Sequence, residues 1–181
     1  MVKQWHDIQL GKDIPKEVNV LIEIPKGSST KYEVDKEHGL LMLDRFVYSS
    51  VHYPGDYGFI PQTVSGDGDP MDELVYTEGA VIPQTIAACR PIGVMKMIDN
   101  GEQDDKIICV YVKDPRTDYI KDLKDLPEHM IKEYKEFFQT YKDLENKIVK
   151  VTAFHGKKVA HKLIMESIKA YEKAFKRKHR K

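Results

Sequence analysis

The feature that most constrains the fold is a series of short apolar segments separated by turns, which fills the first two thirds of the chain. Segments of this length, rich in Val, Ile and Leu and bounded by Gly, Pro, Asn or Asp, are typical of β-strands. The segments lie at residues 18–24, 31–34, 39–44, 73–76, 86–98 and 106–112. Many short strands at such spacing favour a small barrel or a curled sheet.

Helical periodicity appears only late in the chain. It begins at Pro127, in PEHMIKEYKEFFQTYKDLE, and returns between residues 157 and 176. In the second segment apolar residues recur at i, i+4 and i+7, and this spacing predicts one buried stripe. The stripe comprises Val159, Leu163, Ile164, Ile168, Tyr171 and Phe175. We therefore predict an α+β fold with a mainly β core and flanking helices, in a single domain of residues 1–181.

The composition limits where the protein can be located and what it can bind. The chain does not begin with a basic segment followed by a long apolar run, and it has no stretch of about 18 apolar residues, so we expect a cytoplasmic protein that does not span a membrane. Cys89 and Cys109 lie in apolar segments, which favours reduced thiols in the core. The basic end, KAFKRKHRK, is interpreted as a solvated helix terminus and not as a nucleic-acid site.

The segment GDGDPMDELVY, residues 66–76, concentrates acidic side chains in a turn. Close carboxylates repel one another unless a cation, a shared proton or water compensates them. A solvated turn would explain a lone DGD. However, the region from Asp67 to Asp105 contains nine acidic and two basic residues in a chain of net charge zero, and it ends in a second acidic turn, DNGEQDDK. Two such turns that meet in space would form a site for a hard divalent cation such as Mg²⁺.

Cationic and hydroxyl side chains that could bind phosphate accompany the acidic turns. Catalysis of phosphate chemistry depends on positioning and on compensation of negative charge, so a phosphate site needs such groups. The candidates are Lys31, Arg45, Tyr53, Tyr57, Lys106, Tyr141 and Lys142. Each of them alone is more often an exposed lysine or a tyrosine packed over a turn. Only their combination indicates a site.

Seven stretches of the chain, in this order, resemble the soluble inorganic pyrophosphatases of family I, prokaryotic type. They are EIPKGSSTKYEVD, LDRF, HYPGDYGFIPQT, DGDPMDELV, RPIGVMKMID, EQDDK and FFQTYKDLE. The family signature is an Asp, a small residue, Asp, Pro, an apolar residue and Asp, and DGDPMD fits every position. The resemblance implies a five-stranded closed barrel of the oligonucleotide-binding (OB) type with flanking helices, a cytoplasmic homohexamer, and hydrolysis of pyrophosphate to two orthophosphates. The reaction would use a metal-activated water and several Mg²⁺ ions per active site.

The resemblance also implies roles for individual residues. The metal ligands would be Asp67, Asp72, Asp99 and Asp104, with Asp72 bridging two ions. Asp104 is chosen over its neighbour Asp105 because the family's metal-binding aspartate lies two residues before its phosphate-binding lysine, and Lys106 is that lysine here. The general base would be Asp69, and the other catalytic groups Tyr57, Lys31 and Arg45. Phosphate contacts would fall on Lys31, Arg45, Tyr57, Lys106, Tyr141 and Lys142. Supporting positions are Glu23 and Glu33 at the cavity rim and Tyr53 near the base.

Two other functions remain as alternatives. A phosphatase of the haloacid-dehalogenase type also begins from an Asp, any residue, Asp pattern, but it expects Thr or Val where Met71 stands and alternating strands and helices afterwards. A non-enzymatic divalent-cation-binding domain of the EF-hand type could be counted from Asp67. In that count Asp72 occupies the glycine position of the loop, and the flanking segments favour strands over helices.

Overall fold

The computed structural model of the protein describes residues 3–175. The strands in this range are β1 Val18–Ile24, β2 Thr30–Val34, β3 Leu41–Phe46, β4 Asp56–Ile60, β5 Met71–Tyr76, β6 Ile86–Asp99, β7 Glu102–Gln103, β8 Lys106–Tyr111 and β9 Val149–Gly156. The α-helices are α1 Gln4–Asp7, α2 Glu128–Thr140 and α3 Lys157–Ala174. Short 3₁₀ turns lie at Pro115–Thr117, Leu123–Asp125 and Asp143–Glu145.

Five strands form a closed ring. The order is β1, β4, β5, β8 and β6, and β6 pairs back with β1. Only the contact between β5 and β8 is parallel. The long β6 also carries β9 and β7 along its far half, and β2 pairs with β3 in a separate hairpin. The predicted mainly β fold, with a five-stranded OB-type barrel and flanking helices, is therefore confirmed.

Gly93 allows β9 to approach β6 closely. A Cβ at this position would lie 2.8 Å from the carbonyl oxygen of His155 and 2.8 Å from the Leu123 side chain. The pairing of β6 with β8 also shifts its register between Pro91 and Gly93. A bulge of this kind bends a strand, and the bend lets one strand of 14 residues pair with β1 at its beginning and with β9 at its end.

The two faces of β5 and β8 belong to different cores because strand side chains alternate. Met71 and Val75 pack with Ile107 and Cys109 in the cluster that α3 covers. Leu74 belongs, with residues of β8 that include Ile108, to the other cluster, which α2 covers. Asp72 and Lys106 have the same parity as Leu74 and Ile108. This alternation places both charged side chains on the α2 side of the ring.

The buried face of α3 differs from the predicted stripe at one position. Ile164, Ile168 and Tyr171 are buried as expected, but Val159 is 37% exposed. The fully buried residue in the first turn is its neighbour Ala160. Neighbouring positions differ by about 100° around a helix. The small Ala160 side chain therefore faces the sheet, and Val159 faces solvent.

Besides the two-residue β7, two strands were not predicted from the sequence. β4 was not among the predicted strands, since HYPGDYGF combines glycines with proline, yet all five of its residues are buried. A Cβ at Gly58 would lie 2.0 Å from the carbonyl oxygen of Leu21 on β1, so glycine permits the close pairing of these strands. β9 lies between the two segments of helical periodicity. The short elements α1 and β7 were also missed.

Three further expectations concern the cysteines, membrane-spanning helices and the basic C-terminal end. Cys89 and Cys109 are fully buried free thiols, as predicted. Within residues 3–175, no helix has the length and apolar character needed to cross a membrane. Most of the basic end that was interpreted as a solvated helix terminus, residues 176–181, lies outside the described residues.

Glu73 is a fully buried carboxyl group in the α3 side of the core. Neither of its side-chain oxygens has a hydrogen-bond partner among residues 3–175, and burial raises its pKa well above the ordinary value. Burying an unpaired polar group costs free energy. We expect Glu73→Val, which keeps the approximate volume and suits a strand, to raise the free energy of unfolding by about 1–3 kcal/mol. Urea denaturation at a fixed protein concentration measures the change.

Glu73→Gln is the matched control for this prediction. The amide keeps the shape of the side chain and remains a buried polar group without a partner. It should therefore gain less stability than the valine variant. A valine variant no more stable than the wild type would show that Glu73 has a compensating partner in solution.

Candidate active site

Most of the predicted site residues line one cleft of about 220 Å³. Its walls come from β1, β2, β4, β5, the start of β8, the segment after α2 and the N-terminal helix α1. The predicted residues that line it are Glu23, Lys31, Glu33, Tyr57, Asp67, Asp69, Asp72, Asp104, Lys106, Tyr141 and Lys142. Arg45, Tyr53 and Asp99 do not line the cleft, but each interacts with residues that do.

Two hydrogen bonds close the first acidic turn. The Ser65 N–H donates to the carbonyl oxygen of Asp69 at 2.7 Å, and the Asp69 N–H donates to Asp67 Oδ1 at 3.0 Å. Gly68 has a φ of +89°, which glycine adopts without strain. The turn presents Asp67 and Asp69 at its tip, and β5 begins directly afterwards with Met71. Asp72 is then the first residue of β5 that faces the cleft.

Lys106 joins the two acidic turns. Its Nζ lies 2.5 Å from Asp72 Oδ2 and also contacts Asp104 Oδ1. The parallel pairing of Glu73 with Ile107 places Asp72 and Lys106 side by side. Burial alone would lower the pKa of Lys106, but the negative charges of Asp72 and Asp104 outweigh it and raise the pKa. The two acidic turns therefore meet in space at Lys106.

Tyr57 donates a hydrogen bond into the same cluster. Its hydroxyl donates to Asp72 Oδ2 at 2.7 Å, and Lys106 Nζ lies 5.7 Å from its ring centroid. Burial and the charge of Asp72 raise the pKa of Tyr57 well above its ordinary value, so the hydroxyl keeps its proton and remains a donor. Tyr53 lies behind it, with ring centroids 5.5 Å apart. Tyr53 therefore supports the wall and does not line the cleft.

The segment after α2 contributes a second pairing of lysine with aspartate. Lys142 Nζ contacts Asp99 Oδ2 and lies 5.1 Å from the centroid of the Tyr141 ring. Asp99 Oδ1 is buried and has no hydrogen-bond partner among the described residues. An unpaired buried carboxylate oxygen is costly. Asp99 Oδ1, like Asp105 Oδ1, therefore has an unused acceptor position.

Lys31 and Arg45 face each other across the β2–β3 hairpin. Lys31 Nζ donates to Asp44 Oδ2 at 2.8 Å and also to Glu33, while Arg45 donates to Asp44 Oδ2 at 2.7 Å and to Glu145 Oε1 at 2.9 Å. The sequence did not single out Asp44 and Glu145, although both stand in the motifs that carry the resemblance. Glu145 lies 100 residues from Arg45, so no sequence spacing could connect them.

The two supporting glutamates differ in position. Glu33 is about half exposed at the opening of the cleft. Glu23 is buried in the wall, where it accepts a 2.6 Å hydrogen bond from the Val34 N–H. Burial raises the pKa of Glu23 to about 8, against the opposing effect of this hydrogen bond. Glu23 thus lies deeper than the rim position that the resemblance implies.

Asp104 and Asp105 point in opposite directions. Asp104 lines the cleft and contacts Lys106. Asp105 contacts Lys96 and accepts a 2.7 Å hydrogen bond from Gln103 Nε2. Adjacent residues in an extended segment face opposite sides. The choice of Asp104 as the cleft residue agrees with this geometry.

The acidic groups fit a hard cation in chemistry, and lysines occupy the space between them. Among residues 3–175 no three or more His, Cys, Asp or Glu side chains form a ready metal-binding group, and the ammonium groups of Lys106 and Lys142 lie against Asp72 and Asp99. The candidate donors are all carboxylate oxygens, which suit Mg²⁺ better than softer metals. The unpaired Oδ1 of Asp99 is in keeping with such a ligand.

Comparisons with known proteins agree with this geometry. A family profile described as inorganic pyrophosphatase matches residues 20–172. The soluble inorganic pyrophosphatase 2 of Chlamydomonas reinhardtii is 46% identical over 171 residues, 94% of this chain and 89% of the relative. The inorganic pyrophosphatase of Picrophilus torridus is 46% identical over 93% of this chain and 96% of its own.

A solved structure matches as well. The crystal structure of the inorganic pyrophosphatase from Thermus thermophilus superposes with a TM-score of 0.92 at 38% identity, and the match covers 94% of this chain and 99% of that one. The matches in sequence and in structure extend over nearly the whole chain, and the family profile, residues 20–172, covers every predicted site residue. The chain belongs to the inorganic pyrophosphatase family.

Proposed function

We propose that this chain hydrolyses inorganic pyrophosphate to two orthophosphates, with Mg²⁺ as its cofactor, in the cleft described above. Membership of the family implies a divalent-metal requirement. The observation that carries the proposal is the contact of Lys106 with Asp72 and Asp104 in one cleft. A site that combines carboxylates with lysines can hold cations and a phosphate polyanion at once.

The cationic and hydroxyl groups suit a substrate with two phosphoryl groups. Lys31 lines the cleft from β2, and Lys142 lines it from the segment after α2, beside Tyr141. Lys106 and Tyr57 line it from β8 and β4, and both donate to Asp72. Such a spread of donors exceeds what a single terminal phosphate could engage. These residues would bind and orient both ends of pyrophosphate, with Arg45 adding charge from the position paired with Lys31 on β3.

Asp67, Asp72, Asp99 and Asp104 would hold the metal. When bound, Mg²⁺ would neutralise charge on the substrate oxygens and lower the pKa of a water molecule. Asp69, at the tip of the acidic turn, would accept the proton of the attacking water on a carboxylate oxygen. Lys31, Lys106, Lys142 and the tyrosine hydroxyls would stabilise the charge that develops on the departing phosphate.

The two alternative functions are not favoured. The haloacid-dehalogenase reading expects the aspartates to follow a buried parallel strand in an alternating α/β fold, whereas Asp67 and Asp69 precede β5 in a ring of mostly antiparallel strands. The EF-hand reading expects helices on both sides of the acidic loop, and the strands β4 and β5 flank it instead.

The proposal extends to the state of the protein in the cell. Residues 1–181 would form a single domain that assembles into a homohexamer in the cytoplasm, as the resemblance implies. The apolar side chains exposed on the β2–β3 hairpin and just after it, which include Met42, Phe46 and Tyr48, support association. A mass of one chain in light scattering would refute the hexamer.

Phosphate release tests the function directly. With Mg²⁺, we expect kcat/KM for pyrophosphate to exceed that for p-nitrophenyl phosphate by at least about 10³-fold, because a site built for two phosphoryl groups leaves its donors unpaired around one. A chelator should abolish the reaction. Ca²⁺ should not replace Mg²⁺, because its looser and larger coordination misplaces the reacting groups. Equal cleavage of the monoester, or full activity in Ca²⁺, would contradict the proposal.

A further inference from the structure

A chain of contacts runs from the N-terminal helix α1 to Asp69. Lys36 Nζ contacts Asp69 Oδ1 and lies 5.3 Å from the centroid of the Trp5 ring. All three residues line the cleft. Asp69 and Lys36 are 33 residues apart in the sequence, and Trp5 comes from a third segment. Neither Lys36 nor Trp5 has a role in the proposed function above.

We propose that Lys36 is a positioning residue for Asp69 and that Trp5 holds Lys36 in place. The proposal rests on the role of Asp69 as general base. The Asp69 side chain is 61% exposed, on a turn that contains Gly68, and Lys36 is the side chain that the structure brings to its carboxylate. A general base acts only within hydrogen-bond reach of the proton it accepts. An exposed carboxylate on a short turn therefore needs a partner to restrict its rotation.

Trp5 is a rigid support for Lys36. Its indole Nε1 donates to the carbonyl oxygen of Thr63 at 2.9 Å, and its own carbonyl oxygen accepts from the Gln62 N–H at 2.8 Å. The ring is buried, with the Phe175 ring 5.2 Å away. An ammonium group over an aromatic ring is attracted by the negative face of the ring. The Lys36 ammonium group is therefore held by the Trp5 ring as well as by the Asp69 carboxylate.

The same residue that anchors Trp5 also anchors the acidic turn. Thr63 Oγ1 accepts a 2.9 Å hydrogen bond from the Met71 N–H, directly after the turn. Thr63 is fully buried, and its hydroxyl donates to the Ile60 carbonyl oxygen. Trp5 and the end of the acidic turn are thus both hydrogen-bonded to Thr63. The position of Trp5 relative to the turn determines where Lys36 meets Asp69.

The expected effect is on turnover and not on stability. Both partners of the ion pair are more than half exposed, at 51% and 61%, and exposed pairs contribute little to folding. A small displacement of a catalytic group can nevertheless lower a rate strongly. If Lys36 instead bound the substrate directly, its loss would raise KM. The division of the effect between kcat and KM therefore separates the two roles.

The test compares Lys36→Met with Lys36→Arg. We expect Lys36→Met to lower kcat about tenfold, with KM for pyrophosphate, Mg²⁺ affinity by calorimetry and thermal stability close to wild type. Lys36→Arg keeps the charge and the contact with the ring, and should restore most of the turnover. Lys16→Met, which breaks an exposed ion pair with Asp13 elsewhere on the surface, is the matched control and should change nothing.

A double-mutant cycle with Asp69→Asn completes the test. If Lys36 acts through Asp69, Lys36→Met should cause no further loss in the Asp69→Asn background. An equal loss in both backgrounds, an unchanged kcat in Lys36→Met, or a matching loss of Mg²⁺ affinity would each overturn the inference. Wild-type turnover of pyrophosphate is measured alongside. Its absence would refute the proposed function, whereas an active wild type with an impaired Asp69→Asn and an unaffected Lys36→Met refutes only the role of Lys36.

Discussion

Replacing Asp69 by Asn should lower the turnover of pyrophosphate by at least about 100-fold, the usual scale of general-base catalysis. Asparagine keeps the size of the side chain and removes its basicity. The hydrogen bonds that close the turn use the N–H and the carbonyl oxygen of residue 69, so the turn should keep its shape. The Asp69 side chain contacts Lys36, whereas Asp72 and Asp104 contact Lys106. Mg²⁺ affinity should therefore stay near wild type.

Asp35→Asn is the control for Asp69→Asn. Asp35 also lines the cleft, but its carboxylate accepts from the Glu37 N–H and pairs with His38. Removing this negative charge tests whether any acid in the cleft wall would have the same effect. Turnover by initial-rate assay and Mg²⁺ binding by calorimetry are measured on the same samples. Unchanged turnover in Asp69→Asn would make Asp69 a turn residue only, and a parallel loss of Mg²⁺ affinity would make it a ligand.

The sequence predicted the strands that appear as short apolar segments and the helices that show helical periodicity. The length and apolar character of residues 18–24 and 106–112 correspond to β1 and β8, and the late helices lie where their periodicity begins. β4 was missed because Gly58 lies within it and Pro54 and Gly55 lie directly before it, and these residues are typical of turns. Gly58 instead allows β4 to pair closely with β1. That contact exists only after the ring closes.

The composition of the cleft was predictable, but its pairings were not. The acidic turns indicated a cation site because like charges this close need compensation. That Lys106 would lie between Asp72 and Asp104 depends on the parallel register of β5 with β8. The contacts of Arg45 with Glu145 and of Lys36 with Asp69 join segments 100 and 33 residues apart. Pairings of this kind follow from topology, which a single sequence does not encode as spacing.

Asp104 and Asp105 offer a test in which neighbouring residues receive the same substitution. Asp104→Asn should lower Mg²⁺ affinity and turnover together, each by at least about tenfold, because it removes a charged oxygen donor from the cleft. Asp105→Asn changes the net charge equally, but the carboxylate that it removes pairs with Lys96 outside the cleft. It should leave both quantities near wild type and act mainly on stability.

The comparison of these two variants separates a ligand from a general effect of charge. Calorimetric titration with Mg²⁺ and initial rates at saturating Mg²⁺ give the two quantities, and thermal unfolding checks that both variants fold. Equal losses in the two variants would mean that only net charge in this turn matters. A loss confined to Asp105→Asn would exchange the roles of the two aspartates. A loss confined to Asp104→Asn is expected, because strand alternation turns Asp104 and Lys106 toward the cleft and Asp105 away from it.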